Sequence, residues 1–136
     1  MKVFIAVFLV LGVVFAVNAR LTEEQKQKIQ ADGKACVAES GADPELIKAA
    51  RGGKFADDGK LKDFTFCMSE KIGFQNEAGE FQRDVVLKKL GAAIDDDAAA
   101  KKLVEKCLVP KSNSAETAFE TFKCYYENTP THIAVF

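Results

Sequence analysis

The 136-residue sequence contains no tryptophan, a single histidine (His132), three prolines and no excess of either charge. Its 19 basic and 20 acidic residues leave a net charge of −1. Nucleic-acid binding leans on phosphate neutralisation by Lys and Arg, so no nucleic-acid partner is expected. One histidine near the end of the sequence is poor material for a Ser-His-Asp relay or a histidine-based metal site. No C-x-x-C pair, glycine-rich phosphate loop or spaced-carboxylate calcium loop occurs, so no metal, no cofactor and no catalysis are expected. Asn128-Thr129-Pro130 offers no Ser or Thr two positions on, and no other Asn does; N-glycosylation is not expected. The apolar/polar alternation of half-buried strands is missing, as are internal repeats, low-complexity tracts and an interdomain linker.

What is present is uneven along the chain. Residues 1–19 hold 16 apolar residues and one charge, Lys2. Met1-Lys2 is a short positive start, Val3 to Leu11 is unbroken apolar, and Val17-Asn18-Ala19 has the small or β-branched positions of a signal-peptidase site. The segment reads as a secretory signal cleaved after Ala19. The competing reading is a transmembrane anchor. Its run of about fifteen apolar residues is short against the roughly 20 a span needs, so no stable membrane insertion is expected. The remaining residues, 20–136, are about 42% apolar, ordinary for a single globular domain. The expected location is extracellular and oxidising.

Six helices are expected after the signal. Thr22-Glu23-Glu24-Gln25 is a capping box. Ile29, Gly33, Cys36 and Val37 follow on one face, and Gly41 terminates. Asp43-Pro44 opens a short second helix to about Arg51, stopped by Gly52-Gly53. Asp57-Asp58-Gly59 reads as a turn. Phe64, Cys67, Met68 and Ile72 form the stripe of a third helix ended by Gly73, and residues 74–79 read as a loop. A fourth helix is expected from Glu80 to Leu90. Asp95-Asp96-Asp97 opens a fifth, to about Leu108, with acidic groups opposing the positive end of the helix dipole. Asn113, with Glu116 three residues on, caps a sixth that carries Phe119, Phe122 and Tyr126. The fold class is therefore all-α, a compact six-helix single domain.

Cys36, Cys67, Cys107 and Cys124 all fall in or beside these helices. An even count in a secreted chain of this size argues for two disulfides, with three connectivities open. Signal, helices, cysteine spacing and the segments Lys106-Cys107-Leu108 and Phe122-Lys123-Cys124 together resemble the insect odorant-binding proteins, the pheromone-binding and general odorant-binding family. Where six-cysteine members carry their second and fifth cysteines, this chain has Asp63 and Ala115. Both ends of one family disulfide are thus absent together. That pattern is similar to the four-cysteine branch, which includes small beetle haemolymph and accessory-gland proteins. The resemblance implies the pairs Cys36–Cys67 and Cys107–Cys124. It also implies that the third and sixth helices are freer to separate.

The resemblance further implies a small hydrophobic ligand held in an apolar cavity. The candidate lining is Phe64, Met68, Ile72, Val86, Leu90, Leu103, Val104, Phe119, Phe122 and Tyr126. Periodicity alone reads the same residues as a solid core. A Tyr hydroxyl, from Tyr125 or Tyr126, would orient a polar head. The apolar tail Ile133-Ala134-Val135-Phe136 either folds back as part of the pocket wall or frays; Phe136 joins the lining in the first case. His132 beside it belongs to the residue type that titrates nearest physiological pH. It reads either as a release switch for the tail or as an exposed side chain of no consequence. The implied function is a secreted carrier of odorants, pheromone-like molecules, fatty acids or other lipids, with any receptor or dimer partner unspecified. The alternative is a non-carrier structural or defensive haemolymph protein on the same fold. An ice-binding array is not visible, because the six Thr residues are scattered.

Overall fold

The computed structural model describes residues 22–129 together with His132 and Phe136. The expected signal segment and the tail residues Ile133-Ala134-Val135 lie outside the described residues. The fold is all-α. The six helices among the described residues are α1 (Glu23–Ser40), α2 (Pro44–Arg51), α3 (Gly59–Ile72), α4 (Arg83–Ile94), α5 (Asp97–Cys107) and α6 (Ser114–Asn128). No helix among the described residues is long and apolar enough to cross a membrane.

Local chemistry sets most of the ends. The Thr22 backbone N–H donates to Gln25 Oε1 at 2.8 Å, and Thr22 Oγ1 accepts from the Gln25 N–H at 3.1 Å, completing the capping box. Asp43 Oδ1 accepts from the Glu45 N–H at 2.9 Å. Asn113 Oδ1 accepts from the Glu116 N–H at 2.8 Å. Each carboxylate or amide satisfies a donor that the first helical turn leaves free.

Three expectations are corrected. Asp57-Asp58-Gly59 is more than a turn: Asp58 Oδ2 accepts from the Leu61 N–H at 2.8 Å and caps α3, which begins at Gly59. Helix α4 starts at Arg83 rather than Glu80 and runs past Leu90 to Ile94. The late start has a clear cause. Gln75 and Phe81 form an isolated antiparallel bridge, with the Asn76 N–H donating to Glu80 O and the Gln82 N–H to Phe74 O. Those bonds commit the backbone of residues 80–82 to an extended pairing. The three aspartates also divide their work. Asp95 ends α4 in the left-handed region at φ 55°, Asp96 caps α5, and Asp97 alone lies in its first turn.

Two disulfides tie the helices, Cys36–Cys67 joining α1 to α3 and Cys107–Cys124 joining α5 to α6. The pairing implied by the resemblance is the one observed. Helix α3 packs along α6, α4 along α5, and α1 along α3. One hydrophobic core runs through all six helices, with Leu61, Phe64 and Met68 of α3 and Phe122 and Tyr125 of α6 among its largest buried side chains.

Candidate ligand-binding site

The centre of the core is aromatic. Helix α3 points Phe64, Met68 and Ile72 inward because they recur at helical spacing. Helix α6 meets them with Phe119, Phe122 and Tyr125. Phe136 completes the cluster. Its ring lies 5.6 Å from Phe64, edge to face, and 5.5 Å from Phe122. It is 7% exposed although it comes from the tail. Phe74 adds a further ring, 6.4 Å from Phe122 and 6.2 Å from Tyr125.

Of the residues expected to line a pocket, Phe64, Met68, Ile72, Val86, Leu90, Leu103, Val104, Phe119, Phe122 and Phe136 are all buried and belong to one cluster. The structure brings Phe64, Phe122 and Phe136 into direct ring contact. Tyr126 stands apart. It is only partly buried, its ring 6.1 Å from Phe55 and stacked 5.1 Å from His132. Its neighbour Tyr125 takes the interior place, 0% exposed. The signal for it was its position three residues after Phe122, one turn along the buried face. Arg51, Phe74 and Leu61 were also absent from the expected lining.

The Tyr125 hydroxyl is buried with no hydrogen-bond partner among the described residues. Burial pushes its ionisation well above the ordinary phenol range, so the group is a neutral O–H donor. Other buried hydroxyls are satisfied: Thr65 donates to Lys62 O at 2.7 Å and Thr121 to Thr117 O at 2.6 Å.

A groove of about 400 Å³ lies beside the aromatic cluster, between Gly33, Lys34 and Val37 of α1, Ile47 and Arg51 of α2, and Phe64 of α3. Its floor is mainly apolar. Arg51 connects it to the core. The Arg51 Nε–H donates to Phe136 O at 3.1 Å, and the guanidinium carbon is 5.9 Å from the centre of the Phe136 ring. Arg51 and Phe64 therefore touch both the groove and the last residue. A second, smaller depression of about 210 Å³ near the Cys107–Cys124 bridge is rimmed by Lys106, Lys111, Lys123, Glu120 and Glu127. Its charged rim suits water better than an apolar guest.

Reactive groups are otherwise engaged. All four cysteines are in disulfides. Cys36, Glu39 and Cys67 form a trio of metal-ligand type among the described residues, but a disulfide has no thiolate to offer a metal. His132 Nδ1 lies 2.9 Å from Tyr126 O. What the site offers chemically is an apolar seat, with one neutral donor in the core around it and one guanidinium at its edge.

Known proteins share this arrangement of chain and fold. B2 protein of Tenebrio molitor is 38% identical over 110 residues, covering 81% of this chain and 86% of its own. The structure is similar to the fatty acid binding protein OBP56a from the oral disk of the blowfly Phormia regina, with TM-score 0.65 and 30% identity over 79% of this chain and 94% of that one. It is also similar to the THP12 carrier protein from yellow meal worm, with TM-score 0.59 and 35% identity over 69% of this chain and 87% of that one. The sequence matches the PBP/GOBP family across residues 18–128, and with its six helices and two disulfides the chain belongs to that family.

Proposed function

We propose that this protein is an extracellular carrier of small hydrophobic molecules, sequestering odorant-like, pheromone-like or fatty-chain ligands by removing them from water. The observation that carries this reading is the seat of Phe136. A residue from the tail places its ring between Phe64 and Phe122, at the end of an open apolar groove, and one polar bond to Arg51 fastens it. An apolar chain entering by the groove meets Phe136 at the aromatic core and takes its place by moving it aside. Ring and methylene contacts then replace ring and ring contacts, with burial of apolar area as the driving force. The sequence residues buried around that seat are the proposed lining. The carrier and fatty-acid-binding descriptions of the meal worm and blowfly proteins support the ligand class. Export rests on the composition of residues 1–19 and on the two disulfides.

The test uses the chain from residue 20 to 136. An apolar fluorescent probe is titrated in and displaced with fatty acids, alcohols and esters of increasing length. Saturable binding, competed more strongly by longer chains, is the expected result. Absence of saturable binding overturns the carrier reading in favour of a structural or defensive secreted protein on this fold.

A further inference from the structure

Tyr125 belongs to the aromatic cluster, and its hydroxyl has no hydrogen-bond partner among the described residues. The side chain is 0% exposed. Its nearest described rings are Phe74, edge-on at 6.2 Å, and Phe122 at 6.2 Å, and neither supplies a hydrogen-bond acceptor of ordinary strength. A buried polar group left unpaired costs stability, and native interiors contain few of them. Phenylalanine would fill the same space without that cost, and the same helix already carries Phe119 and Phe122. Among the described residues Gln75 Oε1 is the other unpaired buried side-chain atom, but that side chain is partly satisfied, since its Nε2 donates to Gly79 O at 3.0 Å. Tyr125 has no such partial satisfaction.

We propose that the Tyr125 hydroxyl is the selecting contact of the binding site, donating to a neutral acceptor oxygen at the inner end of an otherwise apolar ligand. The ligand class is a fatty-chain aldehyde, ketone, ester or alcohol. This rests on the carrier reading above and specifies its chemistry. Phe122 links the two places, its ring centre lying 5.5 Å from that of Phe136 and 6.2 Å from that of Tyr125. A ligand that displaces Phe136 lies against Phe122, and its inner end must extend past that ring to reach the hydroxyl. The hydroxyl is held as a neutral donor by burial, so it rewards an acceptor. An ionised carboxylate gains less there, because an uncompensated charge in an apolar core is costly to bury. A plain hydrocarbon leaves the hydroxyl as unpaired as it was.

The experiment compares dodecane, dodecanal, dodecyl acetate and dodecanoate as competitors of the fluorescent probe, on wild type and on Tyr125→Phe. Wild type is expected to favour dodecanal and dodecyl acetate over dodecane by about tenfold, which corresponds to about 1.4 kcal/mol. Tyr125→Phe is expected to keep its dodecane affinity within about twofold and to lose the preference. It should melt no lower than wild type, since an unpaired group has been removed. The infrared carbonyl stretch of bound dodecanal gives a readout on wild type alone: a shift to lower frequency reports the hydrogen bond. Equal preference in the two proteins, or an unshifted carbonyl in wild type, overturns the role of Tyr125 while leaving the carrier reading intact. Failure of the probe itself to bind overturns both.

Discussion

Gly33 lies in the middle of α1 and is buried, yet a Cβ added there meets nothing within 4 Å. The space it leaves belongs to the groove. Glycine inside a helix is less stable than alanine by roughly 0.5–1 kcal/mol. Gly33→Ala is therefore expected to raise stability by about that amount in a denaturant titration, with probe binding retained. In the sequence Gly33 reads only as one member of an apolar face; that it borders a groove depends on where α2 and α3 lie. His132 shows the same limit. A carbonyl oxygen can only accept, so the 2.9 Å contact with Tyr126 O requires the hydrogen on His132 Nδ1. A second proton would go to Nε2 and leave that bond intact. We therefore expect His132 to have no part in release. His132→Ala is expected to show the wild-type profile of probe affinity between about pH 5 and 8. A profile flattened by the substitution would restore the switch.

Helices α3 and α6 are the pair that the absent family disulfide would have joined, at Asp63 and Ala115. They are nevertheless closely packed, and the residues next to those positions form a polar clasp. Lys62 Nζ lies 2.8 Å from Glu116 Oε2 and 2.6 Å from Asp57 Oδ1, and 5.4 Å from the centre of the Phe119 ring. The Lys62 hydrogen bond and charge hold the Asp57 carboxyl below its ordinary 3.8. Hydrogen bonds to Asp57 and Glu116 raise Lys62 above its ordinary 10.5. A lowered Asp contributes stability above its unfolded value and loses it as pH falls through the folded one. A raised Lys contributes below its unfolded value and loses it as pH rises through the folded one. The Asp57–Lys62 pair therefore contributes fully between about 3.8 and 10.5. Lys62→Ala is expected to lower the melting temperature at neutral pH. That deficit should shrink in acid below Asp57's range and at about 1 M salt, where screening reaches about 3 Å. A deficit indifferent to both would place the effect in packing on Phe119. The two disulfides are larger restraints, with sequence separations of 31 and 17; loops of that size correspond to about 3–4 kcal/mol each in the chain-entropy account.

For the molecule as a whole, the balance between tail and ligand sets which chains are carried. Burying a Phe side chain is worth about 1.5–3 kcal/mol, and the Arg51 bond adds about 0.5–1.5. At about 0.8 kcal/mol per methylene, roughly three to six methylenes are needed merely to offset the displacement of Phe136. Short alcohols and acids are therefore expected to compete poorly, and Phe136→Ala to lower the chain length at which competition begins, measured by probe displacement. An unchanged threshold would mean that the ligand does not use that seat. The sequence by itself determined the number of helices and most of their ends, because caps such as Thr22, Asp43 and Asn113 act on donors two or three residues away. It misjudged the start of α4, where the Gln75–Phe81 pairing spans a loop, and the role of Asp58, whose cap lay hidden in a run of turn residues. Tyr125 and Tyr126 are adjacent in the chain but about 100° apart around α6. Only packing against Phe74 and Phe122 decides which of them faces inward. The seat of Phe136 against Phe64, Phe122 and Arg51 joins residues far apart in sequence. No local hydrogen bond specifies it, and only burial of the assembled aromatic surface does.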